Sequence, residues 1–344
     1  MRPDLRVLCI SCLRNEGPFV LEWIAHLRQI GVTDFLLYSN DCDDGTDAML
    51  DLLGDAGVRH QPLMPKPGES AQWLALKAAW AHPLRNSCDW ALVIDVDEFP
   101  NLHVHDRLSD LIATLPGADA ITLPWRLFGN AGQVRASEAR VTETFTRAME
   151  PDAVFPIATT FFKSLFRPAA FRKFGVHRPK HGPGIVPDWC DGSGETLPAA
   201  YAENDGRLSL YDLPAARNLV ELNHYSVKSA ESFLVKRSRG LPNRSDKSID
   251  LGYWVERNFN TVEDRTILAV PSEAELARLR ALPGMADLEA QARRWHREKF
   301  AALLKDPIEY NLFGQLLMVA NSTPVSAKMA AKIYNLYHDV KPRT

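Results

Sequence analysis

The chain has 344 residues, a hydrophobic fraction of 46%, a charged fraction of 24% and a formal net charge of -3. Such a composition belongs to a folded globular protein with room for one large domain or two smaller ones. The charge gives no electrostatic ground for a nucleic-acid partner, and no apolar run approaches the length of a membrane span, although peripheral contact with a membrane stays open.

The first third alternates strand and helix. "RVLCIS" predicts a strand, and "FVLEWIAHLRQIG" a helix with Phe19, Trp23, Ile24, Leu27 and Ile30 on one face. Pro18 suits its first turn and Gly31 its stop. "DFLLYS" predicts a second strand, "NDCDDG" a polar turn, and "TDAMLDLLGDAG" a helix with Thr46 as the expected N-cap. A weak strand at "VRH" precedes the helix "SAQWLALKAAWAH" and the strand "WALVIDV". Trp23, Trp73 and Trp80 read as core residues. Strands and helices in alternation predict an α/β fold with a parallel, doubly wound sheet, whose ligands gather beyond the carboxyl ends of the strands.

Further on, "ADAITLPWRLFGNAG" predicts another strand and a Gly-rich loop. Residues 150–215 are rich in Pro and Gly and read as ordered but irregular connections. "SAESFLVKRSRG" is a helix capped by Ser229, and from about Pro271 "SEAELARLRALPG", "DLEAQARRWHREKFAALLKD" and "SAKMAAKIYNLYHDV" are helices. The five cysteines (Cys9, Cys12, Cys42, Cys88, Cys190) lack a completing His or Cys cluster and read as reduced, structural thiols of a cytoplasmic protein.

Three polar clusters follow strand ends: "RNEG", "NDCDDGT" and "DVDEF". In the last, Asp95 and Asp97 are alternate residues, so both carboxylates aim the same way. Two carboxylates in that position repel, which a hard cation such as Mn²⁺ or Mg²⁺ relieves. Each cluster also has a plainer reading. Asp41, Asp43 and Asp44 suit a turn, and Lys236, Arg237 and Arg239 suit a solvated helix face.

With these motifs in view, "CLRNEGPFVLEWIAHLRQIGVTDFLLYSNDCDDGT", Gln72 and "DWALVIDVDEF" resemble the nucleotide-sugar-binding half of family 2 type glycosyltransferases with the GT-A fold. "NHYSVKSAESFLVKRSRG" is similar to a segment of family 92 glycosyltransferases. The resemblance is strong over about residues 5–130 and recovers near 221–240; the expected organisation is a transferase domain over residues 1–265, with a donor-binding half over 1–130 and an acceptor half over 131–265, and a helical region over 266–344 of which the resemblance says nothing. It implies an inverting transfer from a nucleotide-sugar, expected to be a UDP-sugar; the expectation built on it is a metal-dependent transferase with a glycan or glycoconjugate acceptor, acting in assembly of a surface polysaccharide or related glycan. It assigns Arg14, Asn15, Glu16, Asn40, Asp41, Asp44 and Gln72 to the nucleotide-sugar. Asp95 would lie near the ribose or metal, Asp97 would be the main metal ligand and His224 a further one, with Lys228, Lys236 and Arg237 at the diphosphate.

An inverting transferase also needs a carboxylate base near the acceptor. Glu143 leads, Asp188 follows beside Trp189, and Asp191 is a third candidate. His177 and His181 read as loop or acceptor-site residues. A metal-dependent phosphotransferase or phosphohydrolase is the rival enzyme, and a non-catalytic glycan-binding protein on a degenerate transferase fold is the rival outside enzymes.

Overall fold

The computed structural model describes residues 5–211, 213–240 and 249–340. The strands are β1 (Val7–Leu13), β2 (Asp34–Ser39), β3 (Val58–Pro62), β4 (Trp90–Val93), β5 (Glu98–Leu102), β6 (Ala120–Leu127), β7 (Arg147–Ala148), β8 (Phe162–Phe166), β9 (Trp189–Cys190), β10 (Val220–His224) and β11 (Val262–Glu263). Among the described residues nine of them form one sheet in the order β3-β2-β1-β4-β8-β6-β10-β5, with β9 beside β6, while β7 and β11 form a separate ribbon.

Strands β3, β2, β1 and β4 are mutually parallel. Alternate residues of β1 feed opposite faces, as a sheet covered on both sides requires. Val7 and Cys9 pack in one core with Trp23 and Ile24 of α1 (Gly17–Gln29). Leu8 and Ile10 pack in a second core with Ala75 and Ala79 of a helix over Ala71–Ala81. Helices thus flank the sheet on both faces, the α/β architecture expected from the sequence. Gly31 ends α1 at φ 101°, a backbone state that favours glycine.

Beyond β4 the sheet becomes mixed. β8 runs antiparallel to both β4 and β6, and β10 runs parallel to β6 and antiparallel to β5. The carboxyl ends of β1, β2, β4, β6 and β10 therefore share one edge with the first residues of β8.

Four expectations change. β8 lies inside the stretch read as irregular, and its residues Phe162–Phe166 are all buried. Thr46 is the first residue of its helix rather than the cap: Gly45 holds the cap position and Asp44 Oδ1 accepts from the Thr46 amide at 2.9 Å. Trp73 is 47% exposed, whereas Trp23 is fully buried. A helix over Pro307–Met318 joins those over Glu273–Arg280, Met285–Leu303 and Ala327–Val340.

The long helix Met285–Leu303 packs against α1 and the helix Thr46–Leu52. A β-carbon on Gly17 would lie 2.5 Å from the Ala292 β-carbon, so this close approach requires glycine. Among the described residues no helix is long and apolar enough to cross a membrane.

Candidate active site

At the end of β4 the chain turns through Ile94–Asp97 and re-enters the sheet as β5. The turn is clamped twice by one residue: the Glu98 amide donates to the Asp95 carbonyl at 3.0 Å, and Glu98 Oε2 accepts from the Asp95 amide at 2.8 Å. Antiparallel pairing sets His224 of β10 opposite Glu98 of β5, and the Tyr225 amide donates to the Asp97 carbonyl at 2.8 Å. Sheet register therefore delivers His224 to Asp97, and their facing atoms, Nε2 and Oδ1, are 3.7 Å apart.

Each carboxylate of the pair has its own lysine. Lys163, on β8 and fully buried, places Nζ 3.1 Å from Asp95 Oδ2 and 3.3 Å from Glu98 Oε2. Lys236 reaches from the helix Ala230–Arg239 to within 2.7 Å of Asp97 Oδ2 and 2.8 Å of the Ser226 carbonyl. Ser229 caps that helix by accepting from the Ser232 amide, as expected. Burial alone would raise the Asp97 pKa, but the ammonium groups of Lys236 and Lys228 hold it well below the usual carboxylate range. Burial also pushes the His224 imidazole well below its ordinary value, so it is neutral. The Glu98 carboxyl is pushed up to about 8 by burial against the pull of Lys163.

Asp95, Asp97 and Lys236 form the floor of a cleft of about 630 Å³ at the shared strand edge. One wall carries Arg14, Glu16, Asn40, Asp41, Gln72 and the exposed face of Trp73. Gln72 Nε2 lies 3.4 Å from Asp95 Oδ1. Arg239 closes the wall by donating to the Arg14 carbonyl and to Glu16. Across the floor stand Trp125 of β6, His177, His224, Tyr253 and Arg257.

The cleft gathers Arg14, Glu16, Asn40, Asp41, Gln72, Asp95, Asp97, His177, His224, Lys236 and Arg239 out of the residues singled out from sequence. The others sit elsewhere. Asn15, at φ 52°, accepts from the Asp43 amide at 2.7 Å and braces the two loops. Asp44 is buried in bonds to the Gly17 amide, Thr46 and His296, which occupy it structurally. Lys228 points its ammonium 4.4 Å from the centre of the Phe19 ring, beneath the cleft rather than in it. Arg237 turns away to Glu309 at 2.9 Å, because one residue along a helix rotates the side chain by about 100°. Arg239, two residues further, returns to the cleft side.

Neither leading base candidate reaches the cleft. Glu143 pairs with Arg140 at 2.8 Å, in a group that also includes Glu273. Asp188 lies beside the first residues of β6, whose other end faces the cleft. Asp191 accepts from the Ser193 and Glu195 amides and shapes a turn. His181 is tied to Asp205 at 3.2 Å, so it does not converge with His177 on a metal. Lys163, Glu98, Arg239 and Arg257 are the site residues that sequence reading left out or assigned to a solvated face. A lysine inside the apolar run "FFKSLF" is the one visible signal among them.

A divalent cation fits the donors present. Asp97 Oδ1 and a neutral His224 imidazole are close enough for one ion to touch both, at metal–ligand distances of about 2.1 Å. Among the described residues His224 Nδ1 is buried without a hydrogen-bond partner. Among the described residues no three His, Cys, Asp or Glu side chains form a ready cage; substrate oxygens and water would complete the shell of an ion held here.

Comparison with known proteins follows the same lines. The sequence pattern of glycosyltransferase family 92 matches residues 6–187. A family 92 protein of Ricinus communis is 31% identical over 192 residues, covering 52% of this chain and 32% of that protein. One of Oryza sativa subsp. japonica is 27% identical over 172 residues, covering 47% of this chain and 27% of that protein. The matched stretch is thus about a third or less of these relatives' own length. Among solved structures, S. aureus TarS 1-349 is 15% identical with a TM-score of 0.36, covering 85% of this chain and 89% of that one. Glucosyl-3-phosphoglycerate synthase from Mycobacterium tuberculosis, in complex with Mn²⁺, UDP and glucosyl-3-phosphoglycerate, is 16% identical with a TM-score of 0.25, covering 36% of this chain and 45% of that one. The family pattern extends over more than half of the 344 residues, and the protein belongs to glycosyltransferase family 92.

Proposed function

We propose that this chain transfers a sugar, with inversion, from a nucleotide-sugar to a glycan acceptor, and that the donor is a UDP-sugar. The observation that carries this reading is the Asp95/Asp97 turn on the cleft floor, between a polar wall from β1 and β2 and a basic group from the helix Ala230–Arg239. Departure of a nucleoside diphosphate builds negative charge, and fixed cations aimed at it lower the barrier because they need no reorganisation. Lys236 and Arg239 have that role, with Arg14 beside them. Asn40, Asp41 and Gln72 hold the nucleoside side of the donor.

Asp97 and His224 would hold a Mn²⁺ or Mg²⁺ ion, with Asp95 alongside. When bound, the ion supplies Lewis-acid stabilisation of the leaving diphosphate. Lys163 and Glu98 keep the turn in place from below. The cytoplasm and assembly of a surface polysaccharide belong to the same reading.

The test is nucleotide release from a panel of nucleotide-sugars, with and without Mn²⁺. Release from a UDP-sugar, increased by Mn²⁺, is the expected result. A chain that consumes no nucleotide-sugar but hydrolyses phosphate esters would establish the phosphohydrolase instead.

A further inference from the structure

Residues 167–187 carry Arg167, Arg172, Lys173, Arg178 and Lys180 and not one Asp or Glu, in a chain whose formal net charge is -3. None of these cations lines the cleft. Two are spent inside the fold. Arg167 lies over the Trp90 ring at 4.6 Å, and the buried Arg178 lies over Trp189 at 4.3 Å and donates to the Tyr201 and Ala202 carbonyls. The other three reach the surface. Arg172 and Lys173 are exposed, and Lys180 is half-buried with its ammonium on the Asp205 carbonyl.

Backbone pairing holds the three together. The Arg172 amide donates to the Lys180 carbonyl at 2.7 Å, and the Lys180 amide donates to the Lys173 carbonyl at 2.9 Å. The chain then turns tightly, with the Ile185 amide donating to the Gly182 carbonyl at 3.2 Å, and the Arg172 side chain lies so close over Gly182 that no β-carbon fits there. At this turn, between Pro183 and Pro187, Ile185 is 43% exposed and Val186 is 52% exposed. The bordering acids are Glu203, Asp205 and Asp188, and His181 engages Asp205 at 3.2 Å. Two adjacent aliphatic side chains at a loop tip gain nothing in water. A lipid interface takes both parts of this surface, the apolar tip at the acyl boundary and the cations at anionic headgroups.

We propose that this hairpin docks on an anionic phospholipid membrane, with Arg172, Lys173 and Lys180 at the headgroups and Ile185 and Val186 inserted below them. The net charge of the whole chain would oppose such docking, so the attraction is local. The far turn of the same hairpin lines the cleft through Val176 and His177, and the Ser164 hydroxyl of β8 fixes it by donating to the His177 carbonyl at 3.0 Å. Docking therefore brings that wall of the cleft toward the membrane. The surface stands apart from the donor site and is tested without a nucleotide.

The test is co-sedimentation of the full chain with vesicles of phosphatidylcholine, alone or with about one third phosphatidylglycerol. Wild type is expected to partition roughly tenfold or more better into the anionic vesicles, and to be released as salt is raised. Arg172→Gln with Lys173→Gln should lower that partition roughly tenfold. Ile185→Ser with Val186→Ser should lower it by a similar factor, with the urea midpoint unchanged in both. Lys173→Glu alone makes the same charge change if the first pair does not fold. Arg294→Gln with Lys305→Gln removes two exposed cations elsewhere and should leave partition as in wild type.

Equal partition of wild type into neutral and anionic vesicles overturns the proposal. So does undiminished binding by either hairpin pair, or an equal loss in the Arg294/Lys305 pair. Inorganic phosphate that displaces the chain from vesicles beyond the effect of sodium chloride at equal ionic strength would mark a site for a soluble anion, and would overturn it as well.

Discussion

The end of β4 and the start of β8 meet on the cleft floor, one carrying Asp95 and Asp97 and the other Lys163. They come from regions of different construction. The N-terminal region is a run of parallel strands joined by helices, and its polar residues stand in contiguous motifs just past the strand ends. The later region inserts β8 and β10 between and beside distant strands, and contributes single residues from well-separated places: Lys163, His224, Lys236 and Arg239. Acidic groups and their countercharges thus arrive by different routes, local motif on one side and long-range sheet register on the other. If this contrast is right, changes on the later side should act through charges of the first side.

The largest stability effect is expected at Lys163. Removing this lysine leaves the buried Glu98 carboxyl and its neighbour Asp95 without their shared partner, at a cost of roughly 3 kcal/mol. Lys163→Met should lower the urea midpoint accordingly, and adding Glu98→Gln should restore part of it, since that carboxyl shares the lysine. A midpoint equal to wild type would separate Lys163 from the turn.

Next come two arginines on one helix. Arg239→Met should lower turnover by roughly 10²–10³, the loss typical of one charge-stabilising group. Arg237→Met, which breaks a contact with Glu309, should leave turnover within about threefold of wild type. Equal losses in both variants would mean that the helix acts through stability alone.

The N-terminal region has a titrating group of its own. His26 is buried against the Pro100 carbonyl at 2.8 Å, and burial pushes its pKa down to about 4. The unfolded chain therefore binds a proton between pH 6.5 and 4 that the folded chain refuses. Stability is full above pH 6.5 and falls by about 3 kcal/mol as pH drops through that window. His26→Gln should flatten the fall, as read from urea midpoints at pH 7 and pH 5; an unchanged slope would remove His26 as the cause.

The smallest effect is expected at Glu143→Gln and Asp188→Asn. Both carboxylates lie outside the cleft, so both variants should transfer sugar close to the wild-type rate. A dead Glu143→Gln enzyme would show that the cleft reorganises to reach it.

The same contrast explains what could be read from sequence. Strands β1 to β4 and the helices between them announce themselves through periodicity and turn residues, and the "DVDEF" cluster stands out because acids end a buried run. β8 did not, because five buried residues amid Pro and Gly carry no period that separates strand from loop. Arg237 and Arg239 are alike in composition and differ only in helical phase, which a charge run does not display until the buried face is known. Asp44 looks like its neighbour Asp41, yet its role is set by His296, 252 residues away. Glu143 and Asp188 were placed by the need for a base, and nothing local records which end of a strand a loop will occupy.

Asp97 is where the two regions join, so it carries the central claim. The decisive measurement is nucleotide release by Asp97→Asn beside wild type, with the preferred donor and Mn²⁺, on protein shown to be folded. The account predicts a loss of roughly two orders of magnitude or more and no remaining response to Mn²⁺. Release at the wild-type rate with an unchanged Mn²⁺ response would contradict it.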